Sequence, residues 1–181
     1  MNALNGSLPP VTFVLGGARS GKSLYAEGLV EGAGGGRAGG GLYLATAEAG
    51  DAEMAARIEE HKKRRGPDWT TIEEPLDLTV ALNRHAAPER PVLVDCLTLW
   101  LSNVMAAGRD VESEIRALVD CLGGLPGPVV LVSNEVGMGI VPDNALARAY
   151  MDNAGRMNQA VAAAAQRVVS VTAGLPRILK E

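Results

Sequence analysis

A chain of 181 residues has the length of one ordinary domain and can bury a substantial core. Hydrophobic residues make up 47% of it, which excludes a disordered protein, but aromatic residues contribute only 3%, so Ala, Val, Leu and Ile must fill the core. The formal net charge of −4 argues against broad nucleic-acid binding, because such binding requires clustered cations that displace counterions from phosphates.

Two terminal and compositional features bear on where the protein works. Residues 1–10 predict a flexible tail rather than a signal peptide, since they lack a basic segment followed by an apolar one. No apolar run approaches the roughly 18 residues that a membrane-spanning helix needs. Cys96 and Cys121 fit no metal-binding spacing and lie in or beside apolar stretches, which favours buried thiols over a disulfide framework. We expect a cytoplasmic protein without a membrane span, whose single domain covers residues 11–181.

Apolar runs that alternate with helical patterns indicate a mostly parallel sheet with helices on both faces. In chain order, the predicted elements are a strand over 11–16, a helix near 22–31, a glycine-rich surface loop over 32–41, a strand over 42–47, a helix from Asp51 to about Arg65, an extended segment over 69–74, a helix near 76–86, a strand over 91–96, helices over 97–105 and around 111–122, a strand over 127–135, a helix near 143–165, a strand over 167–174 and a short edge strand over 175–180. Ligands of such sheets bind beyond the carboxyl ends of the strands, so the loops there should carry the chemistry.

The segment GGARSGKS between the first strand and the first helix matches the phosphate-binding pattern G-x-x-x-x-G-K-[ST]. Its backbone N–H groups and the N-terminus of the following helix can bind phosphate oxygens. Lys22 can reach the β- and γ-phosphates, and the hydroxyl of Ser23 can ligate Mg²⁺. The pattern predicts a P-loop NTPase-type α/β fold and a nucleotide site formed by Gly16, Gly17, Ala18, Arg19, Ser20, Gly21, Lys22 and Ser23.

An acidic residue at the end of another apolar strand is the expected partner of this loop. Asp95 ends the run VLVD and is predicted to hold Mg²⁺, directly or through water. The alternative is an aspartate that only caps the following helix.

Further segments resemble one family over nearly the whole chain, from about Val11 to Lys180. They are GGARSGKS, ATAEAGDAEMAARIEEHKKRRGPDW, EEPLDL, VDCLTLWLSN, VSNEVGMGIVPDNALAR and DNAGRMNQAVAAAA. The chain resembles the bifunctional adenosylcobinamide kinase / adenosylcobinamide-phosphate guanylyltransferase family of cobalamin (vitamin B12) biosynthesis. The resemblance implies that ATP or GTP phosphorylates adenosylcobinamide, and that GMP is then transferred from GTP to the product, giving adenosylcobinamide-GDP and pyrophosphate.

The second reaction is similar to nucleotidyl transfers that pass through a GMP–histidine intermediate, and His61 is the candidate nucleophile. On the predicted helix it shares a face with Met54 and Ile58, and basic residues surround it. Such cations lower the pKa of an imidazole and stabilise charge on phosphoryl oxygens. Some family members carry two adjacent histidines where this chain has Glu60-His61. From the pattern alone, a structural histidine at a solvated basic helix end is an open alternative.

The resemblance also places further residues at the nucleotide site: Thr46, Ala47, Glu48, Lys62, Lys63, Arg64 and Glu73. For Thr46 and Glu48 the alternative is a strand end with a polar cap, and for Glu73 it is an ordinary surface acid. The loop from Asn134 to Pro142 would form the rim of the site on the corrinoid side, although a plain packed loop fits equally well. The resemblance further implies a homo-oligomer, with a trimer as the expected form.

Two other functions compete with the bifunctional enzyme. A P-loop kinase of another small molecule would need no covalent step, and His61 would then be structural. A nucleotide-controlled switch or binding module would hydrolyse slowly and act through a partner.

Overall fold

The computed structural model of the chain describes residues 8–33, 41–47, 59, 63, 65 and 68–181. Within these residues, seven strands and five helices are formed, and Glu59 and Lys63 are also helical. The strands are β1 (Val11–Gly16), β2 (Leu42–Ala45), β3 (Thr70–Glu73), β4 (Val92–Asp95), β5 (Val129–Asn134), β6 (Arg167–Thr172) and β7 (Leu175–Lys180). The helices are α1 (Lys22–Ala33), α2 (Leu78–His85), α3 (Leu97–Ala106), α4 (Val111–Leu122) and α5 (Ala145–Ala164).

The strands form one sheet in the order β3-β2-β4-β5-β1-β6-β7. All neighbouring pairs are parallel except β6 and β7, which form an antiparallel hairpin at one edge. Strand β5 lies between β1 and β4, so the strand before the phosphate loop and the strand that ends in Asp95 are not direct neighbours. The carboxyl end of β5 therefore lies between the two predicted phosphate- and metal-binding positions.

The sheet buries an apolar core on each face. One core contains Leu82, Trp100, Leu118 and Met157, contributed by α2, α3, α4 and α5, and is the larger. The other contains Ala26 and Val30 of α1 packed on side chains of the central strands. Strands that are buried on both faces need apolar residues at successive positions, which explains the continuous runs in β1, β4 and β5.

The predicted α/β class and single parallel-type sheet are confirmed. Strand β7 is formed as expected, as an exposed antiparallel edge. The segment 69–74 is also extended, as β3. Among the described residues, no helix is both long and apolar enough to cross a membrane.

Several predicted boundaries are wrong. Helix α1 continues through Gly32 to Ala33, where a loop was expected, because its face is held on the sheet by Ala26 and Val30 and packing overrides the weak helix propensity of glycine. Strand β6 ends at Thr172 rather than at residue 174, since Ala173 and Gly174 turn the chain into β7.

Other predicted features lie outside the described residues. These are residues 1–7 of the tail, residues 34–40 of the glycine-rich segment, and most of the helix expected from Asp51 to Arg65.

Candidate nucleotide and phosphoryl-transfer site

The phosphate loop occupies the turn from β1 to α1 and is shaped by two glycines. A Cβ atom on Gly16 would contact Ser20 Oγ and would lie 2.6 Å from the carbonyl oxygen of Val171, so no other residue fits there. Gly21 has a φ of +93°, which L-residues rarely adopt. Arg19 also has a positive φ of 57°, and its side chain is exposed. The backbone thus makes the tight curve that directs successive N–H groups to one point.

Lys22 is held against this loop. Its ammonium donates a hydrogen bond of 3.2 Å to the carbonyl oxygen of Gly17, and the residue is only 8% exposed. The amide of Ser20 donates to the same carbonyl at 3.2 Å. The hydroxyl of Ser20 is buried and has no hydrogen-bond partner among the described residues. A buried cation and an unsatisfied hydroxyl in one loop suit an anionic ligand.

Asp95 lies at the carboxyl end of β4, and its carboxylate is held by Tyr43 of β2. The Tyr43 hydroxyl donates a hydrogen bond of 3.1 Å to Asp95 Oδ2. Burial, and then the negative charge of Asp95, raise the pKa of Tyr43 above its usual range, so the phenol keeps its proton and remains a donor. The guanidinium of Arg65 stacks on the ring of Tyr43, 3.3 Å from its centre.

Thr46 joins the ends of β2 and β4 through its side chain. Its hydroxyl donates to the carbonyl oxygen of Cys96 at 2.8 Å and accepts from the Cys96 amide at 2.9 Å. Burial raises the pKa of the Cys96 thiol, while Lys22 is close enough to act on it in the opposite direction. The residue after Asp95 is therefore held by the end of the neighbouring strand β2.

Asn134 ends β5, between β1 and β4. Its side-chain amide donates to Thr98 Oγ1 at 2.7 Å, and Asn158 donates to its carbonyl oxygen at 3.2 Å. Asn158 also accepts a 2.7 Å hydrogen bond from Ser133 Oγ, so it holds the last two residues of β5. The half-buried, polar side chain of Asn134 therefore lies at the end of β5, the strand between β1 and β4.

Three further predicted site residues are described by their exposure and their position in the fold. Ala47 is half-buried after β2, and Lys63 is exposed and helical. Glu73 is exposed at the end of the edge strand β3, four strand positions away from β1 in the sheet order. Glu48, His61, Lys62 and Arg64 lie outside the described residues.

Tyr43, Arg65 and Asn134 contribute to this edge of the sheet but were not predicted as nucleotide-site residues. Asn134 could have been included, because a polar residue that ends a buried strand at the correct edge is a visible signal. Tyr43 could not, since a tyrosine inside an apolar strand has the pattern of a core residue. Arg65 is the last of the four basic residues that follow His61, and nothing in the sequence distinguishes it from the other three.

The oxygen donors of Asp95 and Ser23 are of the type that Mg²⁺ prefers. Both residues are half-buried at the carboxyl edge. Among the described residues, no group of three or more His, Cys, Asp and Glu side chains could hold a metal ion without help. Magnesium in nucleotide sites is commonly held by one or two protein oxygens together with the substrate phosphates, so these residues fit that ion.

The sheet order and the glycine-shaped loop define an α/β protein of the P-loop type. The fold is similar to that of the flagellar accessory protein FlaH from Methanocaldococcus jannaschii, with a TM-score of 0.53 and 12% identity over 98% of this chain and 81% of that chain. This likeness concerns the fold alone.

The family is established by sequence. Residues 12–179 match the model of the family described as cobinamide kinase / cobinamide phosphate guanyltransferase. The bifunctional adenosylcobalamin biosynthesis protein CobP of Pseudomonas aeruginosa is 49% identical over 92% of this chain and 95% of its own length. The bifunctional adenosylcobalamin biosynthesis proteins CobU of Salmonella typhimurium and Escherichia coli are 42% and 40% identical, each over 90% of this chain and 95% of their own length. The chain belongs to the cobinamide kinase / cobinamide phosphate guanyltransferase family of bifunctional enzymes.

Proposed function

We propose that this protein is an adenosylcobinamide kinase and adenosylcobinamide-phosphate guanylyltransferase of cobalamin biosynthesis. Family membership over residues 12–179 supports both activities. The observation that carries the proposal within the structure is the phosphate loop, with Lys22 held on Gly17 and Asp95 held by Tyr43 at the same edge of the sheet. Adenosylcobinamide, ATP and GTP are the substrates.

In the kinase reaction, the aminopropanol hydroxyl of adenosylcobinamide attacks the γ-phosphorus of ATP or GTP. A P–O bond forms, the bond to the β-phosphate oxygen breaks, the hydroxyl proton is released, and a nucleoside diphosphate leaves. The residues from Gly16 to Ser23 bind the phosphates through backbone N–H groups, and Lys22 neutralises charge on the β- and γ-phosphates. Ser23 and Asp95 would hold Mg²⁺, which supplies further charge neutralisation on the phosphates.

In the guanylyl transfer, a neutral imidazole nitrogen of His61 attacks the α-phosphorus of GTP. A P–N bond forms and pyrophosphate leaves, and a phosphate oxygen of adenosylcobinamide phosphate then attacks the same phosphorus and releases the histidine. Lys62, Lys63 and Arg64 are proposed to stabilise charge on the phosphoryl oxygens and on pyrophosphate. Thr46, Ala47, Glu48 and Glu73 are proposed to complete the nucleotide site.

The covalent step can be tested by the intact mass of the protein after incubation with GTP and Mg²⁺. His85 provides the matched control, because the chain contains only two histidines and His85 ends helix α2 away from the phosphate loop. We expect a GMP adduct on the wild type and on His85→Ala, labile in acid and stable in base, and no adduct on His61→Ala.

Two outcomes would contradict this mechanism. An adduct that persists in His61→Ala would move the nucleophile elsewhere. The absence of any adduct on wild type that binds GTP would leave a P-loop kinase without a covalent step.

Lys22→Ala should lower the rate of adenosylcobinamide phosphorylation by a factor of about 100 or more, because it removes a preorganised positive charge that stabilises the transferred phosphoryl group.

A further inference from the structure

Two backbone amides from outside the phosphate loop hold carbonyl groups inside it. The amide of Gly174, in the turn between β6 and β7, donates a 2.8 Å hydrogen bond to the carbonyl oxygen of Ser20. The amide of Glu135, just beyond β5, donates a 3.1 Å hydrogen bond to the carbonyl oxygen of Gly16. The loop is therefore tied on one side to β5 and on the other to the β6–β7 turn.

These hydrogen bonds fix more than the carbonyl groups. A trans peptide unit is planar, and its C=O and N–H groups point in opposite directions. When Gly174 holds the Ser20 carbonyl, it also fixes the N–H of Gly21 on the opposite side of that peptide plane. Glu135 does the same for the N–H of Gly17. The N–H groups of this loop are the proposed phosphate ligands, so their direction determines how well they bind an anion.

We propose that Gly174 is a positioning residue for the phosphate loop, which acts through Ser20 to direct the Gly21 amide at the bound phosphates. The inference rests on the proposed nucleotide site and extends it to the β6–β7 hairpin. Strand β7 of this hairpin is otherwise an exposed edge of the sheet.

The conformation of the turn explains why glycine is needed there. Ala173 and Gly174 have φ values of 50° and 79°, as in the two-residue turns that join twisted antiparallel strands. An ideal Cβ on Gly21 would lie 3.2 Å from the Cα of Gly174, so the loop and the turn pack backbone against backbone. An ideal Cβ on Gly174 itself meets nothing within 4 Å. A larger residue at this position is therefore unfavourable because of the positive φ value, and not because its side chain would clash.

Because a side chain at position 174 strains the backbone without crowding its neighbours, variants can test the effect of strain alone. Gly174→Ala strains the turn, whereas Gly174→Asn places a residue that tolerates positive φ in the same open space. Gly108 provides the matched control for stability, because it also has a positive φ of 66° and open space around its Cβ position, but it lies after helix α3. All three variants keep the residues proposed to touch nucleotide.

Binding is measured by calorimetry with Mg²⁺ and a GTP analogue whose α,β-bridging oxygen is replaced by methylene, so that no adduct forms. We expect Gly174→Ala to weaken binding by about five- to tenfold. Gly174→Asn should stay within about twofold of the wild type, and Gly108→Ala should bind like the wild type despite a comparable loss of thermal stability. Equal affinity of Gly174→Ala and wild type, or an equal loss in Gly108→Ala, would overturn the inference. A wild type that binds no analogue would overturn the nucleotide site itself.

A second measurement uses the wild type alone and does not depend on the folding of a variant. If the Gly174 hydrogen bond favours the binding-competent loop, bound analogue must strengthen that hydrogen bond in return, because coupling between sites is reciprocal. We expect hydrogen exchange of the Gly174 amide to slow on binding, relative to the Gly108 amide. Unchanged exchange at Gly174 in the saturated protein would contradict the proposal.

Discussion

Thr46 holds the end of β4 through two hydrogen bonds of its side chain. The family resemblance implies that Thr46 lies at the nucleotide site. In the structure, its hydroxyl forms hydrogen bonds with both the carbonyl oxygen and the amide of Cys96. The side chain is fully buried, so it can contribute to the nucleotide site by fixing the residue that follows Asp95. Its role in phosphoryl transfer remains a prediction.

Thr46→Val removes this hydroxyl and takes away the hydrogen-bond acceptor of the buried Cys96 amide, whereas the Cys96 carbonyl oxygen keeps its 3.1 Å hydrogen bond from the Trp100 amide. We expect the free energy of unfolding to fall by about 2 kcal/mol, because unsatisfied buried groups lose their hydration without replacement. Thr46→Ser keeps the hydroxyl and should recover most of this loss. Urea unfolding measures both variants, and a Thr46→Val protein as stable as the wild type would show that the hydroxyl does not stabilise the fold.

At the scale of an element, helix α5 begins at a strong capping residue. The side-chain oxygen of Asn144 accepts hydrogen bonds from the amides of Leu146 at 2.8 Å and Ala147 at 3.2 Å. This cap ends the exposed loop in which Met138 and Ile140 are 89% and 97% exposed. The 20-residue helix that follows carries Asn158, which holds the end of β5.

Asn144→Ala should lower the free energy of unfolding by about 1 kcal/mol, since two helix N–H groups lose their side-chain partner. Asn144→Asp provides the control, because aspartate caps as well as asparagine does and also complements the helix dipole. Chemical denaturation of the three proteins tests this. If Asn144→Asp is as unstable as Asn144→Ala, the cap does not explain the effect.

Elements also differ in how far their own sequence defines them. The buried strands β1, β4 and β5 were predicted within about two residues, because continuous apolar runs bounded by polar residues identify them. The ends of α1 and β6 were predicted wrongly, since packing on the sheet extends the first and a hydrogen bond to the phosphate loop accompanies the turn that ends the second.

At the scale of the whole molecule, a buried phenol and a buried thiol make the stability of the fold depend on alkaline pH. Burial raises the pKa of Tyr43 above its ordinary value of 10.0 and that of Cys96 above 9.0. In the unfolded chain these two groups lose their protons at a lower pH than in the folded protein. The free energy of unfolding therefore falls as pH rises. Their contribution is fully present below about pH 9 and is lost progressively above it.

Tyr43→Phe should therefore be less stable than the wild type at pH 7, by about 1–2 kcal/mol, because the hydrogen bond to the Asp95 carboxylate is lost. The difference should narrow as pH rises beyond about 10, since only the wild type has this phenol to ionise on unfolding. Tyr25 and Tyr150 are present in both proteins, so their own raised pKa values cancel. Urea unfolding between pH 7 and pH 11 provides the test, and parallel stability curves would show that Tyr43 is not protected in the folded state.

The sequence by itself determined the class of the fold, the phosphate loop and the aspartate at the end of β4. Each of these depends on neighbouring residues in the chain, because strand hydrophobicity, glycine spacing and a strand-ending acid are local patterns. The family could also be identified from local segments, and the match over residues 12–179 confirms it.

Only the tertiary structure decided which distant residues support these local features. Tyr43 meets Asp95 across 52 positions of the chain, Thr46 meets Cys96 across 50, and Gly174 reaches Ser20 from the far end of the sequence. No local pattern encodes such contacts, because they arise from the order in which the strands assemble in the sheet. Sequence therefore predicts the residues proposed to contact phosphate, and the fold shows which distant residues contact them or their neighbours in the chain.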